Sequence, residues 1–133
     1  MSVALLDAFA EAFNRHDIEA LLAMVTEDCV FEMAAGPDAC GLRHQGKAAL
    51  REALPWAWKH WPDACWDDAT HVVAGDRGFS EWTFRGTDAK GHVTEVRGVD
   101  LFELRDGLIA RKDTYRKQRS RGLRVRARCV AVE

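Results

Sequence analysis

Apolar residues recur at helical spacing through the first part of the chain and at alternate positions through the rest. In residues 3–14, Leu5, Leu6, Phe9, Ala12 and Phe13 fall on one side of a predicted helix, which the polar run from Asn14 to Asp17 closes. Asp17 stands where it can cap a second helix, whose apolar face is Ile18, Leu21, Leu22 and Val25. Cys29 to Met33 then reads as a short strand running into a turn-rich loop up to Gly41. A third helix is predicted over 46–61, with Leu50, Leu54, Trp58 and Trp61 on one face, and Pro55 either kinks it or starts a new segment.

From Trp66 onward the period changes to two. Stretches 66–75, 77–87, 92–104 and 108–117 read as strands, separated by Gly75-Asp76, residues 88–91 and Asp106-Gly107, so neighbours in sequence pair as antiparallel hairpins. Helices gathered ahead of a meander predict an α+β domain, a curved antiparallel sheet with three N-terminal helices on its concave face.

Composition narrows this little. A chain of 133 residues, 47% hydrophobic and 30% charged, suits a single globular domain with its own core. Its apolar runs fall far short of the ~20 residues that cross a bilayer, and the N-terminus is amphipathic rather than signal-like, so a cytoplasmic protein with no membrane partner is expected. Cys29, Cys40, Cys65 and Cys129 are scattered, and no His and acid combination has ligand spacing, so neither a metal nor a cofactor is expected. Charge does change the picture. Residues 110–133 hold nine Lys or Arg against two acids, a balance of +7, which leaves −9 for residues 1–109. Because Arg alternates with apolar residues from Leu123 to Val132, this end reads as a basic strand or tail over 118–133 rather than a nucleic-acid arm, with the domain itself over 1–117.

One residue breaks the apolar pattern. Val96, Gly98, Asp100, Phe102 and Leu104 share a strand face, which puts a carboxyl in an apolar row. Left unpaired there, a carboxylate would be desolvated and its pKa would rise. A three-residue loop at Arg105-Asp106-Gly107 sets Leu104 against Leu108 and Lys112 opposite Asp100, whereas a two-residue Asp106-Gly107 turn sets Asp113 there. The first register avoids facing carboxylates and is the one expected. The pair then has two readings: a buried ion pair that pins the sheet, or an acid/base pair in a cavity, where Asp100 moves a proton and Lys112 stabilises an enolate or alkoxide.

His44, between the loop and the third helix, is the other candidate for proton transfer at a pocket mouth, with a plain turn residue as its alternative. His16, His60, His71 and His92 fall at helix ends, loops or strand starts, and no chemical role is expected of them. A pocket lined by Phe9, Met33, Trp82, Phe84 and Phe102 around one carboxyl suits a flat, largely apolar molecule bearing a carbonyl or hydroxyl. Trp58 on the third helix and Thr114 and Arg116 on the last strand complete the candidate ligand contacts.

The element order and the phrases AFNRHDIEALLAMVTEDCVFE, GLRHQGKAALREAL, SEWTFRGT and GVDLFELRDGLI resemble the SnoaL-like branch of the nuclear transport factor 2-like superfamily over residues 3–117. Relatives of that branch include ketosteroid isomerase, scytalone dehydratase, limonene epoxide hydrolase and the polyketide cyclases. The resemblance implies a cone-shaped fold, and its usual register agrees with Lys112 opposite Asp100. It also implies that Asp100 stands where the isomerase has its oxyanion-hole acid. The isomerase's general base falls on Met33 and its tyrosine near Phe9, so steroid isomerisation is not expected. The hydrolase's arginine and aspartates fall on Trp82, Phe84 and Thr114, and the dehydratase histidines have no convincing equivalents. The expectation is therefore a pocket protein for a small hydrophobic ligand, with proton-transfer chemistry of the isomerase, cyclase or dehydratase type on a carbonyl compound, or else a non-catalytic ligand-binding or dimerisation domain. A homodimer is expected on the opposite sheet face, through Phe79, Val99 and Leu101.

Overall fold

The computed structural model describes residues 2–120. The chain runs α1 (Val3–Asn14), α2 (Ile18–Leu22), β1 (Val25–Glu32), β2 (Arg43–Gln45), α3 (Lys47–His60), β3 (Cys65–Ala74), β4 (Arg77–Thr87), β5 (Val93–Arg105) and β6 (Leu108–Arg116). Leu6, Phe9, Ala12 and Phe13 form the buried stripe of α1, as their spacing predicts. Asp17 caps α2 by accepting a hydrogen bond from the Ala20 backbone N–H at 3.1 Å. The second helix is shorter than its apolar pattern suggests, because Val25 already belongs to β1. The third helix passes through Pro55 without a break.

The strands form a single curved sheet in the order β2-β1-β6-β5-β4-β3. Every neighbouring pair is antiparallel except β1 and β6, which run parallel. A hairpin reading finds only neighbours in sequence, so it foresees neither this pairing nor the three-residue strand β2. Helix α1 packs on β3 and α3 packs on β1 and β2, which covers one face of the sheet. The core lies between them, with Phe9, Leu50 and Leu54 from the helices meeting Phe31, Phe84, Phe102 and Ile109 from the strands. Among the described residues no helix is long and apolar enough to cross a membrane.

The last hairpin has neither of the two expected registers. Asp106 (φ 53°) and Gly107 (φ 78°) are both left-handed, as a two-residue type I′ turn demands, and Arg105 pairs with Leu108. Such a turn alone would bring Asp113 opposite Asp100. A bulge between Glu103 and Leu104 shifts the ladder by one residue, so Phe102 faces Lys112 and Asp100 faces Thr114. Lys112 remains on the same face as Asp100, as their diagonal neighbourhood allows.

On the outer face, the parallel pairing builds an ion cluster. The side chain of Glu32 is 1% exposed and accepts hydrogen bonds from Arg43 Nη2 at 2.6 Å and Arg111 Nη2 at 2.5 Å, which ties β2, β1 and β6 together. Burial works to raise the Glu32 carboxyl, but the hydrogen bonds from Arg43 and Arg111 outweigh it and hold the group below the usual carboxylate range. A carboxyl with a lowered folded-state pKa stabilises the fold above its unfolded value, about 4.3, and that contribution is lost as pH falls through the lower folded value. Glu32→Gln should therefore lower stability near neutrality by about 2 kcal/mol and flatten the loss of stability on acidification, as read by thermal unfolding across this pH range.

The basic strand or tail expected over 118–133 lies mostly outside the described residues, and residues 118–120 carry no regular structure.

Candidate functional site

A cavity of about 220 Å³ opens between α1, α3 and the inner face of β4, β5 and β6. Alternation along the strands aims Ser80, Trp82 and Phe84 from β4, Asp100 and Phe102 from β5, and Lys112, Thr114 and Arg116 from β6 into it. Phe9 and Phe13 of α1, Met33 after β1 and Trp61 after α3 supply much of the apolar wall. A cavity of ~150 Å³ accommodates a benzene ring, so this one is sized for one or two fused rings.

Asp100, 7% exposed, sits at the polar centre. Its Oδ2 accepts a hydrogen bond from Trp82 Nε1 at 3.0 Å, and its Oδ1 accepts one from Thr114 Oγ1 at 2.5 Å. Lys112 Nζ lies 3.3 Å from the same Oδ1 and donates to Thr114 Oγ1 at 2.8 Å. The hydroxyl of Thr114 thus relays between ammonium and carboxylate, accepting from one and donating to the other. Lys112 also lies over the rings of Phe13 and Phe31, 5.3 and 5.1 Å from their centroids, where a desolvated ammonium is favoured by the aromatic quadrupole. An ammonium has three N–H donors, and two are engaged here.

The indole of Trp82 can reach Asp100 because its cross-strand neighbour is Gly98. A Cβ at Gly98 would come within 2.4 Å of Trp82 Cη2 and 2.5 Å of Cζ3. Glycine at this point of the strand is thus a seat for the ring.

At the cavity mouth the Arg116 guanidinium stands over Phe84 at 5.1 Å and Trp61 at 5.7 Å from their centroids. Its pKa is pushed below the usual guanidinium value by desolvation, and no carboxylate among the described residues counters that. Arg116 is accordingly a cation with spare hydrogen-bonding capacity at the edge of an apolar cavity.

Of the candidates read from the sequence, Asp100, Lys112, Phe9, Met33, Trp82, Phe84, Phe102, Thr114 and Arg116 come together around this cavity. His44 is on β2, paired in register with Phe31, and is not part of the lining. Trp58 is a core residue that stacks on His16 at 5.1 Å and meets Phe13 edge-on. Trp61 and Trp66 line the cavity in its place.

Ser80 is absent from the sequence reading, which gives His71 no chemical role. Ser80, 4% exposed, lines the cavity, and its Oγ is 2.7 Å from His71 Nδ1. The other ring nitrogen, Nε2, is 3.7 Å from Asp7 Oδ1 on α1. The signal was available: Gly75-Asp76 forms a two-residue turn, and counting back from it pairs His71 with Ser80.

A second, more open hollow of about 470 Å³ lies on the other side of the sheet, beside Glu81, Arg97, Val99 and Tyr115. Arg97 lies 3.7 Å from Glu81 there, and among the described residues it holds no buried cluster comparable to that at Asp100. Among the described residues no group of three or more His, Cys, Asp or Glu is placed to hold a metal ion.

Comparison with known families matches residues 6–112 to the SnoaL-like domain. No curated protein matches the chain. Among solved structures, a candidate polyketide cyclase from Xanthomonas campestris pv. campestris superposes with a TM-score of 0.75 at 29% identity, over 84% of this chain and 87% of that one. A candidate polyketide cyclase from Pseudomonas putida KT2440 gives 0.75 at 23% identity, over 90% and 92%. TerC, co-crystallised with polyporic acid, gives 0.73 at 20% identity, over 86% and 90%.

Proposed function

This chain belongs to the SnoaL-like domain family, and on that premise we propose that its cavity binds a one- or two-ring hydrophobic carbonyl compound and moves a proton on it. The observation that carries this reading is the Asp100, Lys112, Thr114 and Trp82 cluster, which faces an aromatic-lined cavity instead of filled core. A ligand carbonyl oxygen takes the third N–H of Lys112. As a proton leaves the adjacent carbon, the negative charge gathers on that oxygen, next to an ammonium already oriented by Asp100 and Thr114. Asp100 Oδ2, which accepts only the Trp82 N–H, keeps a lone pair for the proton. This is chemistry of the isomerase, cyclase or dehydratase type and needs no cofactor. The cyclase description of the Xanthomonas neighbour supports it.

A second reading, non-catalytic ligand binding, is favoured by one observation: Asp100 already has three protein partners and could serve only to hold the wall. Titration with 2-tetralone, a two-ring ketone with exchangeable α-protons, separates the two. Binding should quench tryptophan fluorescence, because three indoles line the cavity, and proton transfer should speed exchange of the α-protons with deuterated solvent, read by NMR. Quenching without faster exchange would leave only the binding function, and no quenching would sink both.

The outer sheet face is proposed to pair with a second copy of the chain. Leu101 is 41% and Tyr115 57% exposed there, beside half-buried Phe79 and Val99. Light scattering at micromolar concentration should give the mass of a dimer, and Leu101→Glu should give that of a monomer. A monomeric parent would contradict the proposal.

A further inference from the structure

Ser80, His71 and Asp7 form a chain from the cavity wall to the surface, in which Ser80 and His71 are hydrogen-bonded and Asp7 approaches the far side of the imidazole at 3.7 Å. Asp7, on α1 with its side chain 62% exposed, can only accept when ionised, so it favours a proton on the facing His71 Nε2, 3.7 Å away. On that charge argument His71 Nδ1 is assigned as the unprotonated nitrogen, and the 2.7 Å contact as Ser80 Oγ–H donating to it. With its hydrogen committed to His71, Ser80 Oγ turns lone pairs to the cavity, as a proton acceptor. The His71 side chain is 8% exposed, so the cavity side of this chain is shielded from bulk water. Ser80 also pairs across the strands with Asp100, so a ligand lying between β4 and β5 meets both.

We infer that Ser80 and His71 are a second proton-handling device of the cavity and that they take the hydroxyl proton of a phenolic or enolic ligand. The inference rests on the reading of the cavity as a ligand site. In the transfer, the ligand O–H bond breaks and its proton goes to Ser80 Oγ, while the Ser80 O–H bond breaks and that proton goes to His71 Nδ1. The ligand becomes a phenolate or enolate, Ser80 is unchanged, and His71 becomes an imidazolium opposite Asp7. The same cavity wall carries two cations, Lys112 and Arg116, the second with no carboxylate partner among the described residues, and both favour a ligand anion in the cavity. The arrangement differs from a serine nucleophile of the triad type, because Asp7 lies beyond hydrogen-bond distance of the imidazole and too exposed to orient it firmly. Ser80 is the group in contact with the ligand, and His71 acts through it.

The probe is 2-naphthol, a two-ring phenol that is neutral in water at neutral pH. Bound to the parent it should show the naphtholate absorbance band. One imidazole signal, absent from the ¹⁵N spectrum of His71→Gln, should move to the imidazolium position in the same titration. Ser80→Ala and His71→Gln should still bind 2-naphthol but lose the naphtholate band, while Asp7→Asn, which leaves both relay groups in place, should weaken it. A merely structural Ser80 to His71 hydrogen bond would leave the ionisation state of the bound probe untouched by any of these changes. Binding of neutral naphthol to the parent, or a naphtholate band that persists in both His71→Gln and Ser80→Ala, would overturn the relay and leave the pocket reading standing. No binding to the parent would overturn both.

Discussion

Asp100→Leu is expected to destabilise the protein by about 3–5 kcal/mol, the cost of breaking a buried ion pair from one side. Lys112 is 7% exposed and wedged over Phe13 and Phe31, so its ammonium cannot turn out to water and keeps only Thr114 as an acceptor. Trp82 Nε1 loses its partner at the same time. Adding Lys112→Met removes the stranded charge and fills the same channel with a flexible apolar side chain. Stability should then recover by about 2 kcal/mol, because the stranded charge is gone, but stay about 1–2 kcal/mol below the parent, because Trp82 Nε1 is still without its acceptor. Chemical denaturation of the two variants checks this, and a double variant as unstable as the single one would mean that the pair is not the interaction being measured.

Gly98→Ala should cost about 3 kcal/mol, far more than adding a methyl group to a strand surface. The new Cβ would lie 2.4 and 2.5 Å from two ring atoms of Trp82 and 2.7 Å from the Tyr115 carbonyl oxygen, so either the indole or the β6 backbone must move. Overpacking of this kind costs roughly 1–3 kcal/mol, and a displaced indole also forfeits a hydrogen bond to a carboxylate, worth about 1.5–3 kcal/mol. The effect should appear in equilibrium unfolding together with a change in tryptophan fluorescence, since Trp82 would leave its partner. Little change in either would show that the Gly98 seat is not what aligns Trp82 with Asp100.

Much of this architecture is legible in the sequence because it is local. The 3.6-residue stripe of Leu6, Phe9 and Phe13 and the alternation that turns Trp82 and Phe84 to one face each depend on near neighbours, and both appear in the structure at those positions. What was not legible is non-local. The parallel pairing of β1 with β6 brings Arg111 to Glu32 across 79 residues, and no periodicity in either strand announces it. The register around Asp100 depends on a bulge that leaves no signature in the residues beside it, so counting from the Asp106-Gly107 turn misses by one. The partner of Asp100 on the facing strand is therefore Thr114, while Lys112 reaches it diagonally. His71 is the instructive case. The sequence gives it no role, and only the pairing with Ser80 and the approach of Asp7 from α1 set it behind the cavity wall.

The double variant gives the most direct test of the central claim, that the carboxyl and ammonium in the cavity serve a ligand. Asp100→Leu with Lys112→Met should fold with most of the parental stability and keep the apolar cavity wall, so a loss of chemistry in the folded variant reports on the carboxyl and ammonium. The measurement is the rate of α-proton exchange of 2-tetralone in deuterated buffer, followed by NMR with parent and double variant at equal concentration. The proposal predicts exchange above the buffer rate with the parent and exchange at the buffer rate with the variant. Equal acceleration by both would show that Asp100 and Lys112 only pin the sheet, and would contradict it.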